Sequence, residues 1–203
     1  VDAVRLATDG YRTCALRRSG EVRCWGPSNE NARVQPRPDD VCAPGGAPDR
    51  CAPAPTGAGA TLDQSNDLAL GGNTLCVLRP DGAVACARGP SNADATTPIL
   101  DLMPIPSATA VAAGGTWCAL TVDGAVHCGG GFLAGHERDS DPVRIDALDG
   151  IHATQVTVGG THACVLDGAG TAWCWGANPF GETGQTATCA GNQRSCAWAP
   201  QPP

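Results

Sequence analysis

The chain has 203 residues and a net charge of −7, with 27 Gly and 17 Pro but only 4% aromatic residues. That length allows one ordinary domain, and the Gly and Pro content favours short strands and turns over long helices. The acidic balance excludes the basic footprint of a nucleic-acid binder, and no run reaches the roughly 18 consecutive apolar residues of a membrane helix.

The chain opens "VDAVRLATDG", without Met or a signal-peptide pattern, so any targeting segment is expected to be removed or to lie outside this stretch. A first hairpin is expected at 13–26, "TCALRRSGEVRCWG", behind the lead-in "LATDG". A Pro-rich insertion at 27–62 follows, in which Cys42 and Cys51 bracket eight residues. The second hairpin, "LCVLRPDGAVACARG" (75–89), follows the lead-in "LALGG". "VAAGG" precedes the third hairpin, "WCALTVDGAVHCGGG" (117–131), and "VTVGG" precedes "ACVLDGAGTAWCWG" (163–176). The C-terminal loop, 178–203, contains Cys189 and Cys196. All thirteen positive charges are Arg; with the abundant Ala, Gly and Pro this reads as GC-rich coding in a bacterium.

Each hairpin carries two cysteines separated by nine residues: Cys14 and Cys24, Cys76 and Cys86, Cys118 and Cys128, Cys164 and Cys174. Centred on the turn, the two face each other across an antiparallel pair, close enough to bridge. Strand alternation puts Cys14, Leu16, Val22 and Cys24 on one apolar face, and the later copies repeat the pattern. The opposite face, with Arg17, Glu21, Arg23, Arg79, Thr121, His127, Asp167 and Thr171, reads as polar, so each hairpin is expected to be half-buried. Zinc sites and redox motifs use closer cysteine pairs than these. The twelve cysteines therefore read as disulfides of an oxidising compartment, each hairpin bridge contributing roughly 2–3 kcal/mol in the chain-entropy model. Cys42–Cys51 and Cys189–Cys196 are most simply local clasps, with pairing of Cys42 or Cys189 elsewhere the alternative.

The second cysteines recur at intervals of 62, 42 and 46 residues, the first stretched by the insertion. All-strand units of about 40–50 residues have the period of a propeller blade. "VTVGGTHACVLDGAGTAWCWGANPFGETG" (156–184) resembles the repeat of the regulator of chromosome condensation family. The first unit keeps Cys-Trp-Gly at 24–26; the second and third keep lead-in and hairpin. Paired hairpin cysteines resemble the secreted bacterial branch of that family. The resemblance implies an all-β propeller of four-stranded blades, usually about seven. The single propeller-type domain, 1–203, is therefore expected to be a partial ring, belonging to a longer chain or closing against another. Unpaired edges of an open arc invite self-association.

The search for chemistry finds no nucleophile elbow, zinc-protease motif or phosphate loop. The Gly-Gly pairs read as sites of tight backbone packing between blades. His162 matches the structural His of the resembled repeat, and His127 stands alone. His136 lies among Glu137, Asp139 and Asp141, which offer oxygen ligands to a hard cation but lack the calcium-loop pattern. Trp25 and Trp175 are expected between blades, whereas Trp117, Trp173 and Trp198 are candidates for partner contact, with packing between blades the alternative. No cofactor is expected. The resulting expectation is a secreted or cell-surface, non-enzymatic module that binds a protein, copies of itself included. Carbohydrate binding through the three Trp is the alternative, and inhibition of an extracellular enzyme a third reading.

Overall fold

The computed structural model describes residues 2–9, 13–25, 65–72, 74–88, 99–105, 107–129, 142–178 and 180–185, with residues 200 and 202. The 27–62 insertion with Cys42 and Cys51, and likewise Cys189, Cys196, Trp198, His136 and Asp139, lie outside the described residues. Four antiparallel sheets are described, and we call them blades 1 to 4. Blade 1 is β1 (Ala3–Thr8), β2 (Thr13–Arg17) and β3 (Val22–Trp25). Blade 2 is β4 (Asp67–Gly71), β5 (Thr74–Leu78), β6 (Val84–Arg88) and β7 (Ile99–Met103). Blade 3 is β8 (Ala108–Ala113), β9 (Trp117–Thr121), β10 (Val126–Gly129) and β11 (Val143–Arg144). Blade 4 is β12 (Ala153–Val158), β13 (His162–Asp167) and β14 (Ala172–Gly176). Within each blade the strands pair in chain order, as short connections between antiparallel neighbours require.

The central hairpin of every blade is closed by the same turn. Gly20, Gly82, Gly124 and Gly170 donate to the carbonyls of Arg17, Arg79, Thr121 and Asp167 at 2.9–3.1 Å. All four glycines have φ between 79° and 86°, the left-handed conformation that ends a type I hairpin turn. This register sets Cys14 opposite Cys24, Cys76 opposite Cys86, Cys118 opposite Cys128 and Cys164 opposite Cys174. Disulfides Cys76–Cys86, Cys118–Cys128 and Cys164–Cys174 close the last three pairs. Cys14 is disulfide-bonded as well.

The blades stack face to face. Cys14, Leu16 and Val22 of blade 1 pack on Leu68, Leu70, Leu75 and Val77 of blade 2. Cys76, Leu78, Val84 and Cys86 of blade 2 pack on Val111, Trp117 and Ala119 of blade 3. Cys118, Leu120, Val126 and Cys128 of blade 3 pack on Ala163, Val165 and Trp175 of blade 4. This corrects the half-buried hairpin. The face expected to be polar is apolar at mid-strand, where Val77, Ala119 and Val165 are buried beneath the preceding blade. Arg17, Glu21, Asp167 and Thr171 sit at the hairpin end, where charge meets solvent, and Thr121 there is buried, its hydroxyl bonded to the Ala125 carbonyl. His127 lies half-buried at mid-strand, opposite Ala119.

Beside the disulfides of blades 3 and 4, on the opposite face, a cross-strand pair combines one large and one small residue: Trp117–Gly129 and Ala163–Trp175. The large member changes strand between blades 3 and 4, and a Cβ on Gly129 would stand 2.6 Å from the Trp117 ring. Trp117 and Trp175 are therefore equivalent core residues, 1% and 0% exposed. Trp117→Ala is expected to cost about 3–5 kcal/mol. Adding Gly129→Trp recreates the blade 4 arrangement and should recover most of that loss in the urea midpoint. Two additive losses would contradict the exchange.

Candidate functional site

The stacked blades present two rims. One carries the hairpin turns at Gly20, Gly82, Gly124 and Gly170. The other carries the turns between the first two strands of each blade, where the Gly-Gly pairs lie. There, a Cβ on Gly71 would fall on the backbone of Ala113 and Gly114, and one on Gly114 on the Gly159 carbonyl. Gly115 donates its N–H to the Gly159 carbonyl at 3.0 Å. The sequence reading of these pairs as tight inter-blade packing matches this contact. His162 packs beneath the last pair, its Nε2 2.7 Å from where a Gly159 Cβ would be.

On this rim, residues 177, 178 and 180–185 follow β14. Ala177 donates to the Thr161 carbonyl at 2.9 Å, which ties the loop to the Gly-Gly turn. Asn178 is buried; its side chain donates to the Gln185 carbonyl at 2.9 Å and accepts from the Thr183 N–H at 3.0 Å. Gly181 and Gly184 take positive φ, 86° and 73°, and let the chain double back. At the tip the Phe180 N–H bonds Glu182 Oε2 at 2.8 Å, and the Phe180 side chain is 90% exposed. Sequence reasoning assigned Phe180 no role. The signal was the "ANPFGETG" spacing, an Asn and two Gly framing one aromatic.

Two of the candidate contact residues are elsewhere. Trp117 is buried between blades 2 and 3 and offers no surface, which corrects its assignment. Trp173 is half-buried between blades 3 and 4, its Nε1 donating to Asp167 Oδ2 at 3.0 Å. Side chains of Trp25 and Cys24 are outside the described residues.

On the hairpin rim, Asp123, Arg144, Ile145, Leu148 and His152 line a cavity of about 260 Å³ formed by blade 3 and the segment that leads to blade 4. Its cation is already paired, Arg144 bridging Asp149 at 2.5 Å and Asp146 at 3.1 Å. His127 nearby is held below its usual pKa, first by burial and then by Arg144. Among the described residues no group of three or more His, Cys, Asp or Glu could hold a metal ion.

Residues 153–182 match the model of the Regulator of chromosome condensation (RCC1) repeat. Human WBSCR16 superposes with a TM-score of 0.73 at 16% identity, over 98% of this chain and 52% of its own. Prp20p from Saccharomyces cerevisiae, characterised for its binding to Gsp1p and histones, superposes at 0.69 and 16% identity, over 98% and 50%. The ectodomain of the receptor kinase CR4 from Physcomitrella patens superposes at 0.53 and 20% identity, over 86% and 40%. The chain thus spans about half the length of the first two structures. No curated protein matches the sequence. The repeat and the superpositions show an all-β fold of the RCC1 propeller kind, with the four strands of a blade described in blades 2 and 3.

Asp167 ties the last hairpin turn to Trp173. It accepts from Trp173 Nε1, from the Thr171 N–H at 2.8 Å and from the Ala169 N–H at 2.9 Å. These bonds, the indole first, hold its pKa below the usual carboxylate value. A carboxylate so depressed stabilises the fold above its unfolded pKa, and that contribution disappears as pH falls through the folded value. Asp167→Asn should therefore lower the urea midpoint near neutrality. Its deficit against the wild type should shrink as pH drops below the ordinary carboxylate range. A deficit independent of pH would refute the assignment.

Proposed function

We propose that the chain is a non-enzymatic protein-interaction module, secreted or displayed at a cell surface, that uses the Gly-Gly rim as its contact surface. The observation that carries the reading is Phe180, an exposed aromatic on a loop whose base is fixed by the buried Asn178 and Thr183. An anchor of this kind meets a partner with little ordering cost, because the loop is already held in shape. Aromatic side chains in such positions dominate protein interfaces. The oxidising location rests on the hairpin disulfides, which reducing compartments do not maintain. The CR4 ectodomain supports it by sharing the fold.

A photoreactive residue at position 180 tests the reading in the extracellular protein fraction of the source. The expected result is one discrete protein adduct, competed away by unlabelled chain. Affinity for that partner should fall roughly 30-fold with Phe180→Ala, the factor corresponding to about 2 kcal/mol. Equal affinity of the variant would overturn the role of Phe180. Turnover of a substrate by the purified chain would overturn the module itself.

A further inference from the structure

An aspartate followed by glycine is open to a rearrangement of the main chain, because glycine puts no Cβ in the way of its own backbone nitrogen. That nitrogen attacks the aspartyl Cγ: an N–C bond forms, a Cγ–O bond breaks and water leaves, which closes a five-membered imide. Water then reopens the imide at either carbonyl. Opening at the backbone carbonyl leaves isoaspartate, of unchanged mass, with one extra methylene in the main chain. The reaction needs a carboxyl group that can become neutral, a glycine N–H without an acceptor and a peptide able to turn.

The chain has five such pairs, and both members are described in Asp81–Gly82, Asp123–Gly124, Asp149–Gly150 and Asp167–Gly168. Three of the four lie in hairpin turns and are tied there. The Gly82 and Gly124 N–H groups donate to the Arg79 and Thr121 carbonyls at 3.0 Å. Asp81 accepts from the Ala83 N–H at 3.1 Å, and Asp123 from the Thr121 hydroxyl and the Ala125 N–H. At Asp167 both carboxylate oxygens are occupied, by the Ala169 and Thr171 N–H groups and by the Trp173 indole. The Thr121 hydroxyl first at Asp123, and the indole first at Asp167, lower these two pKa values and keep the groups ionised.

Asp149–Gly150 lies instead between β11 and β12, just past the 3-10 turn Asp146–Leu148. The N–H groups on either side, of Asp149 and Ile151, donate to the Asp146 and Leu148 carbonyls at 2.9 Å. Among the described residues the Gly150 N–H between them has no acceptor. Gly150 takes φ 83°, with nothing within 4 Å of a Cβ position. The Asp149 carboxylate meets Arg144 at 2.5 Å, in an ion pair whose side chains are 59% and 46% exposed. A pair so exposed opens readily. With ψ at 130°, the Asp149 peptide must turn to bring the glycine nitrogen onto Cγ, and no hydrogen bond of that nitrogen opposes the turn.

We propose that, of these four pairs, Asp149–Gly150 is the one that converts to isoaspartate in the folded chain, and that Arg144 slows it by holding the carboxylate. The product lengthens the segment between blades 3 and 4 by one methylene and moves the carboxylate from its place beside Arg144. The site is separate from the Phe180 loop, so its failure leaves the rim reading intact.

Ageing the disulfide-intact chain at mildly acidic pH tests it. Isoaspartate is counted by enzymatic methylation of its free α-carboxyl with a labelled methyl donor, and is located by electron-transfer fragmentation of the peptides. The folded chain should gain label at 149 roughly tenfold faster than at 81, 123 or 167, where hydrogen bonds must break first. In urea the four sites should react at comparable rates. Asp149→Glu keeps a carboxylate for Arg144 but cannot close the five-membered ring, and should remove the signal at 149. Arg144→Gln should raise the rate at 149 about threefold. Equal labelling at a turn site of the folded chain overturns the proposal, as does a chain labelled at 149 in urea but not when folded. The same preference for 149 in urea overturns it too, because the fold then plays no part. An Arg144→Gln chain that ages no faster than the wild type overturns the role of Arg144.

Discussion

Neighbouring blades approach each other backbone to backbone, and glycine is what permits it. At Gly71 and Gly114, the space a side chain would need is filled by the carbonyl of the next blade. That proximity lets Gly115 bond Gly159 across the interface, and it aligns the disulfide face of each blade with the apolar face of its successor. The turn glycines repeat the constraint at the other rim. Gly82 and Gly124 sit against the first residues of the following blade. With both rims held this closely, the small side chains at mid-strand suffice to fill the gap.

A core this poor in aromatics needs other support, and the disulfides supply it from a central position. Cys76, Cys86, Cys118 and Cys128 are fully buried beneath the adjacent blade. Each bridge thus staples its hairpin and also forms part of the surface on which the next blade packs. The ion pairs are peripheral by comparison. Arg17 holds Asp2 and Glu21 at the outer end of blade 1, and Arg5 reaches Asp67 across to blade 2. Partly exposed pairs of this kind contribute little each.

Hairpins and cysteine pairs were legible because strand alternation and a nine-residue gap are local signals that no distant contact overrides. The Gly-Gly role was legible too, since paired glycines before a strand have few other uses. The covered second face was not. Polar residues at the hairpin ends masked Val77, Ala119 and Val165 between them, and burial there comes from a neighbouring blade, not from the strand itself. The choice between partner contact and inter-blade packing for Trp117 was not legible for a related reason. Its equivalence to Trp175 appears only when Gly129 is set across from it, a cross-strand relation invisible along one strand. Phe180 escaped notice because a single exposed aromatic has no periodicity; its meaning came from the fixed loop beneath it.

Backbone contact at glycine holds the blades together, and comparison of Gly114→Ala with Gly168→Ala in urea unfolding tests this most directly. Gly168 lies on an exposed turn with nothing near its Cβ position. Alanine there should be neutral or stabilise by up to about 1 kcal/mol through the unfolded chain. Alanine at Gly114 collides with the Gly159 carbonyl and should cost about 1–3 kcal/mol or more. Equal midpoints for the two variants would contradict the claim.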